Sequence, residues 1–172
     1  MTKAEMTKLF AAMSFIYRHD KMFSAGIEAL KPTIEIWTAA LPELSFALGQ
    51  QVLIRVFRTC KYPPTPAELS EAAAEVSAEI KKRCNELKEN IRFHCAFLEN
   101  SVEEYYASLP ADDITRIVID CIGGPEKLYK NLENGGQIWS WTAFEAAHRE
   151  ICLSGGTALP GAKASTLPPK KG

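Results

Sequence analysis

A histidine and a cysteine near the C-terminal end have the types and spacing that come closest to a metal site. His148 and Cys152 lie four positions apart, so on a helix both would face one zinc ion. Two more ligands would have to come from Cys121 or from the adjacent His94 and Cys95, whereas structural zinc sites draw their ligands from tight pairs. We therefore expect no metal site, with Cys152 packed in the core and His148 on the surface.

A second segment resembles a phosphate-binding loop but departs from it. Residues 156–163 have the sequence Gly-Thr-Ala-Leu-Pro-Gly-Ala-Lys, in which the lysine comes one position late and no serine or threonine follows it directly. The sequence predicts neither a strand before this segment nor a helix after it, and the loop needs both to aim its amides at phosphate. We expect no ATP site, which argues against a protein that hydrolyses ATP at such a loop.

Other catalytic patterns are missing from the sequence. The three histidines are scattered, so no set of nucleophile, base and orienting group can be assembled around them. The glutamates at the start of the long fourth helix repeat on a face that we expect to be solvated: Glu68, Glu71, Glu75 and Glu79. The sequence therefore predicts a protein that is not an enzyme and that holds no cofactor and no metal.

The stretch Lys-Tyr-Pro-Pro-Thr-Pro-Ala-Glu-Leu, residues 61–69, organises the rest of the chain. Pro63 and Pro64 end the preceding helix, because each lacks a backbone N–H and pushes its predecessor toward extended geometry. Thr65 is suited to cap the next helix, and Glu68 is placed to reach back and complete a capping box. The stretch predicts a corner between two helices, and by itself it indicates no chemistry.

The spacing of apolar residues predicts an all-α fold. Apolar residues recur every three or four positions along most of the chain, and no strand-like alternation is present. The first three predicted helices cover 4–17, 24–40 and the segment after Pro42 to about 60, with Pro32 either kinking the second helix or marking its true start. The fourth covers 66 to about 107, with a break near Asn100 where Ser101 and Glu104 form a capping box. The last three cover 113–122, capped by Asp112, then 125–132, and then Trp139 or Trp141 to 153.

We expect four parts in the chain. They are a small N-terminal helical unit of three helices (1–64), a long connecting helix (65–110), a short C-terminal helical segment (111–153) and a disordered basic tail (154–172). The long helix carries an apolar seam close to a heptad repeat, which is typical of a coiled-coil interface or of one helix in an intramolecular bundle. Both interpretations stay open.

Composition and charge place the chain among ordinary cytoplasmic proteins. The net charge of −1 is spread unevenly, with +3 over 1–64, −4 over 65–110, −3 over 111–153 and +3 over 154–172. The five cysteines are scattered without a CxxC pair, which indicates reduced thiols in a cytoplasm. The charged start argues against a signal peptide, and no apolar run reaches the roughly 20 residues that span a bilayer.

Aromatic side chains crowd into a glycine-punctuated region near the C-terminal end. They are Tyr129, Trp139, Trp141 and Phe144. Tryptophan and tyrosine anchor many protein interfaces, so these residues are candidate partner-binding anchors; the alternative is that they fill a small helical core. The lysines of the tail could attract a nucleic acid or an acidic partner, or they could serve solubility alone.

With these segments in place, the chain resembles the phage replicative-helicase loader/inhibitor proteins. The resemblance rests on Trp37 in the second helix followed by the stretch 61–69, and it covers about the first seventy residues. The segment from Ile119 to Gly124, followed by the aromatic helix with Trp141 and Phe144, is also similar to a C-terminal region of such phage replication proteins.

The resemblance implies a non-ATPase protein of a phage or prophage that acts in the bacterial cytoplasm. Such proteins bind the hexameric replicative helicase, hold it inactive and pass it to an origin-binding partner for loading on melted DNA. Their helicase-binding determinants are thought to lie in the C-terminal part. We therefore expect the head and long helix to act as a scaffold and the four aromatics to dock on the helicase, so that alanine at Trp141 and Phe144 abolishes binding without changing the helical circular dichroism.

Two other functions remain open on the sequence. A module that binds single-stranded or origin DNA would use the cations of the basic head as candidate DNA contacts: Lys3, Lys8, Arg55, Arg58 and Lys61. A homodimeric coiled-coil adaptor would use the apolar seam of the long helix. The DNA-binding function predicts steep salt dependence, and the adaptor predicts a stable dimer.

Overall fold

The computed structural model describes residues 1–97, 101–131 and 137–155 and confirms the helical fold class. Its elements, in chain order, are α1 Lys3–Ile16, α2 Lys31–Ala40, α3 Phe46–Thr59, α4 Pro66–Phe97, α5 Val102–Ser108, α6 Ile114–Cys121, α7 Pro125–Leu128, β1 Tyr129–Asn131, β2 Gln137–Trp139 and α8 Trp141–Leu153. None of the helices in the described ranges combines the length and the apolar character that crossing a membrane requires.

Helices α1, α4 and α5 begin with the capping boxes that the sequence contains. At α4, the Thr65 backbone N–H donates to a Glu68 carboxylate oxygen at 2.6 Å, and the Glu68 N–H donates to Thr65 Oγ1 at 3.3 Å. The first of these hydrogen bonds lowers the pKa of Glu68 because it stabilises the carboxylate. The pairs at Thr2 and Glu5 and at Ser101 and Glu104 close in the same way. Pro64 of the preceding turn is buried, and Pro63 is half-buried.

The chain divides into a first compact unit, Met1–Ile80, and a second, Lys81–Gly172. The four-part division drawn from the sequence stays a prediction, and nearly all of the tail lies outside the described residues. In the first unit, the ring of Phe10 on α1 is fully buried and meets the ring of Trp37 on α2 edge-on, with centroids 4.9 Å apart. The first unit therefore has an aromatic core of its own.

Proline marks the start of α2 rather than a kink within it. The helix begins at Lys31, with Pro32 in its first turn, where a missing backbone N–H costs nothing. Two short 3-10 turns, Lys21–Phe23 and Ile27–Leu30, take the place of the earlier part of the predicted helix. The alternative in which Pro32 opens the helix is the one the structure shows.

The apolar seam of the fourth helix contributes to packing inside the chain. Leu69 is almost completely buried, and Cys84 and Ile91 belong to the core of the second unit. A new helix, α5, starts after Ser101, whose backbone is extended at φ −69° and ψ 160°. The predicted fresh start at Ser101 is therefore present, while residues 98–100 lie outside the described residues.

The start of α6 differs from the sequence prediction. The cap is Asp113 and not Asp112, because the Asp113 carboxylate accepts hydrogen bonds from the N–H groups of Thr115 at 2.7 Å and Arg116 at 3.4 Å. Asp112 is exposed one position earlier. Two adjacent aspartates offer the same cap chemistry, and sequence alone does not select the one that faces the open amides.

The structure also contains a small antiparallel hairpin that the sequence analysis missed. The predicted helix 125–132 stops at Leu128, and β1 then pairs with β2 in the register Tyr129 to Trp139, Lys130 to Ile138 and Asn131 to Gln137. Three-residue strands are too short to show an alternating pattern. Their stability comes from cross-strand pairing of aromatic side chains, which only the folded chain reveals.

Candidate functional site

Three of the four predicted anchors lie together as an aromatic array, which we define as Tyr129, Trp139 and Trp141. The ring centroids of Tyr129 and Trp139 are 4.7 Å apart, and those of Trp139 and Trp141 are 4.6 Å apart with planes only 5° from parallel. All three side chains are half-buried. The array is therefore a continuous, partly exposed aromatic surface of the second unit.

The hairpin and the start of α8 hold the array in place. The register of the hairpin sets Tyr129 directly opposite Trp139. The backbone N–H of Ser140 donates to the Leu128 carbonyl oxygen at 2.8 Å, which ties the end of β2 to the end of α7. Trp141 follows as the first residue of α8. Because the indoles already stack on one another, little side-chain freedom remains to be lost when a partner binds.

A cation covers one face of the array. The guanidinium carbon of Arg92, on α4, lies 5.1 Å from the centroid of the Trp141 ring, which is the geometry of a cation–π contact. Arg92 also pairs with Glu89 at 2.6 Å. Arg92 could not be selected from the sequence, since its distance along the chain from Trp141 gives no signal that the two meet. Arginine beside tryptophan is a combination enriched at the energetic centres of interfaces.

Phe144 is placed differently from the other three anchors. Its side chain is fully buried, and its ring meets that of Trp141 edge-on with centroids 5.9 Å apart. The reason is helix periodicity, since Phe144, His148 and Ile151 share the inner face of α8. Phe144 therefore supports Trp141 from below, and a partner cannot touch it while α8 keeps its place.

An ion pair near the array holds α8 against α4 within the second unit. Lys88 Nζ lies 2.5 Å from a carboxylate oxygen of Glu145, one residue beyond Phe144. The Lys88 side chain is only 13% exposed, so its methylene chain is buried while its ammonium group pairs with Glu145. This contact joins α4 to α8 on the side of the helix next to the buried phenylalanine.

The structure corrects the prediction for His148. The side chain is buried rather than on the surface, and its Nε2 lies 3.6 Å from the sulfur of Cys152 one turn later. Burial lowers the pKa of His148, and the charge of Arg83 lowers it further. Burial also raises the pKa of the Cys152 thiol, so this pair does not supply a thiolate nucleophile. In the described ranges, no three His, Cys, Asp or Glu side chains are grouped to hold a metal ion.

The burial of His148 predicts that the stability of the second unit depends on pH. Because its pKa is depressed in the folded chain, the contribution is fully present above the ordinary value of 6.5 and is lost as pH falls through the folded pKa. We expect the urea midpoint of the second unit to drop as pH is lowered from about 8 to about 5, and His148→Gln to flatten that decline. His19→Gln, at an exposed position, is the matched control and should keep the wild-type slope. An unchanged slope in His148→Gln would contradict the assignment.

The candidate DNA contacts do not form one surface of free cations. Lys3 pairs with Glu35 at 2.7 Å, and Arg55 pairs with Glu75 at 3.1 Å and Glu79 at 2.8 Å. A second group has no carboxylate of the described residues within ion-pair distance: Lys8, which lies 5.7 Å from the Phe46 ring centroid, and the exposed Arg58 and Lys61. The pairings link residues far apart in the sequence, so composition alone could not reveal them.

Comparison with known proteins finds a family match for one part of the chain. Residues 1–70 match the family model for the N-terminal domain of the gp39 family of phage helicase loader/inhibitor proteins. No curated protein and no solved structure matches the chain. The resemblance inferred from Trp37 and the proline turn is therefore confirmed over the matched residues. The match ends before the second unit begins.

Proposed function

We propose that this chain, whose first 70 residues match the gp39-family N-terminal domain, binds a hexameric replicative helicase, inhibits it and delivers it to a replication origin. The family match is the observation that carries the proposal. It relates the first unit to proteins that load or inhibit helicases and are not themselves enzymes. An origin-binding replication protein is the second partner that delivery requires.

The aromatic array is the surface that we assign to the helicase. Two half-buried indoles, a tyrosine and a covering arginine provide large contact area together with directional polar groups. Such anchors contribute most of the binding free energy in many interfaces. The stacking of Trp139 on Trp141 at 4.6 Å keeps the surface in one arrangement before the partner arrives. Phe144 is no longer among the contacting residues, since it is buried.

Inhibition would follow from a difference in affinity between two states of the helicase ring. A ligand that binds both states equally shifts no equilibrium, so the protein must bind the non-translocating state more tightly. A tenfold change in the ratio of the two states requires about 1.4 kcal/mol of differential binding free energy. That amount is within reach of a single aromatic anchor, so hydrolysis of ATP by this chain is not needed.

The test is to measure the ATPase rate of the replicative helicase from the host, with and without the full chain, and then the native mass of the mixture. We expect the rate to fall as the chain is titrated, to a plateau at a defined ratio of chain to hexamer. The native mass should show a discrete complex at that ratio. If no complex forms and the rate is unchanged, the proposed function is wrong.

A further inference from the structure

The ends of α1 and α3 meet at one end of the first unit. Tyr17, just after α1, donates a hydrogen bond from its hydroxyl to the Cys60 carbonyl oxygen at 3.1 Å, and its ring lies 5.7 Å from that of Phe57. Tyr17 itself is buried. This contact brings the residues beside Tyr17 next to those beside Cys60, although some forty positions of sequence separate them.

An aromatic ring is exposed at this junction. The side chain of Tyr62 is 67% exposed. The ammonium group of Lys61 lies 5.8 Å from the centroid of the Tyr62 ring, so a cation and an aromatic face occur side by side.

The charge at the junction is positive. Residues 15–21 and 57–64 contain four basic residues, Arg18, Lys21, Arg58 and Lys61, against Asp20 alone. Among the described residues, no carboxylate lies within ion-pair distance of Arg18, Arg58 or Lys61, whereas Lys3 and Arg55 are paired. The carboxylate of Asp20 accepts the Met22 N–H at 2.8 Å. That of Glu68, which also lies near Tyr17, is held by the Thr65 cap.

We propose that this junction binds single-stranded nucleic acid, through a surface that we call the basic aromatic patch: Arg18, Arg58, Lys61 and Tyr62. The three cations would contact backbone phosphates, and the exposed ring of Tyr62 would stack on a base. Recognition would tolerate any sequence, because every base has a face on which a ring can stack. The proposal goes beyond helicase binding and does not depend on it.

The patch favours a nucleic acid over an acidic protein segment for a physical reason. Free cations alone would suit either partner, since both carry negative charge. The exposed Tyr62 ring beside Lys61 adds the stacking contact that single-stranded DNA-binding grooves use, and a carboxylate side chain gains nothing from it. The chemistry of the patch therefore matches bases and phosphates together.

The experiment measures binding of the full chain to fluorescently labelled oligo-dT by anisotropy, without helicase, over a range of salt. We expect binding that weakens with salt, with a slope of about 0.7 per phosphate contact. Tyr62→Ala should weaken binding about tenfold through loss of one stacked base. The double variant Arg58→Ala with Lys61→Ala should reduce the slope by about 1.4.

The matched control removes the same charge from elsewhere in the first unit. Lys3→Ala with Lys31→Ala deletes two exposed cations that already pair with Glu35 and Glu28, and it should leave the slope unchanged. If the chain does not bind oligo-dT at low salt, or if the control lowers the slope as much as the patch variant, the proposal is wrong. Equal binding of polyglutamate, together with no effect of Tyr62→Ala, would also overturn it and indicate an acidic protein partner.

Discussion

Replacing Trp139 with alanine is expected to weaken binding of the chain to the replicative helicase by at least about 30-fold. Truncating an interface anchor of this kind typically costs about 2 kcal/mol or more, and this corresponds to that factor. Trp139 is the middle member of the array, so its removal breaks the contacts to both Tyr129 and Trp141. The side chain packs against the core of the second unit but is only half-buried, so we expect its removal to cost less stability than the loss of a fully buried ring.

The neighbouring residue provides the matched control. Ile138 is 51% exposed and lies next to Trp139 in β2, where successive side chains point to opposite faces. Ile138→Ala therefore removes exposed apolar surface from the same strand without touching the array, and it should bind the helicase as the wild type does. Inhibition of the helicase ATPase gives the affinity, and far-ultraviolet circular dichroism checks the fold. Equal affinities for both variants would exclude the array as the docking surface.

Features that depend on a few consecutive residues could be predicted from the sequence. The capping boxes at Thr2, Thr65 and Ser101 need only a serine or threonine at the cap and a glutamate three positions later, and all three form. The proline turn is local in the same sense, and the family resemblance rested on it together with Trp37. The hairpin could not be predicted, because its stability depends on which strands pair rather than on either strand alone.

The burial of individual side chains and the partners in ion pairs could not be predicted, because both arise from contacts between distant segments. Helical spacing places His148 and Phe144 on one face of α8, but it does not say whether that face lies against a core. Sequence shows that Lys3 and Arg55 are basic, but their acidic partners come from other helices. Arg18 could not be selected from the sequence for the same reason. It gains significance only when Tyr17 brings the end of α1 to Cys60.

The burial of Phe144 changes the expected result of its mutation, which the sequence had suggested would leave the fold intact. Phe144→Ala removes a fully buried ring from a core that also contains Ile91 and Leu128. Deleting a buried phenylalanine side chain typically costs about 3 to 5 kcal/mol of unfolding free energy. That loss is comparable to the whole stability of many small domains. We therefore expect the second unit of this variant to be largely unfolded at physiological temperature.

The variants Phe144→Ala and Trp139→Ala should then lose helicase binding for different physical reasons, and hydrogen exchange distinguishes them. In Phe144→Ala, peptides from α6 and α8 should exchange rapidly, whereas peptides from α1 and α2 should keep wild-type protection. Phe10→Ala, at an equally buried ring of the first unit, is the matched control and should give the opposite pattern. Trp139→Ala should keep protection in both sets of peptides and still fail to bind. If Phe144→Ala keeps full protection in α8 and loses the helicase, Phe144 would be a contacting anchor after all, and α8 would have to move to expose it.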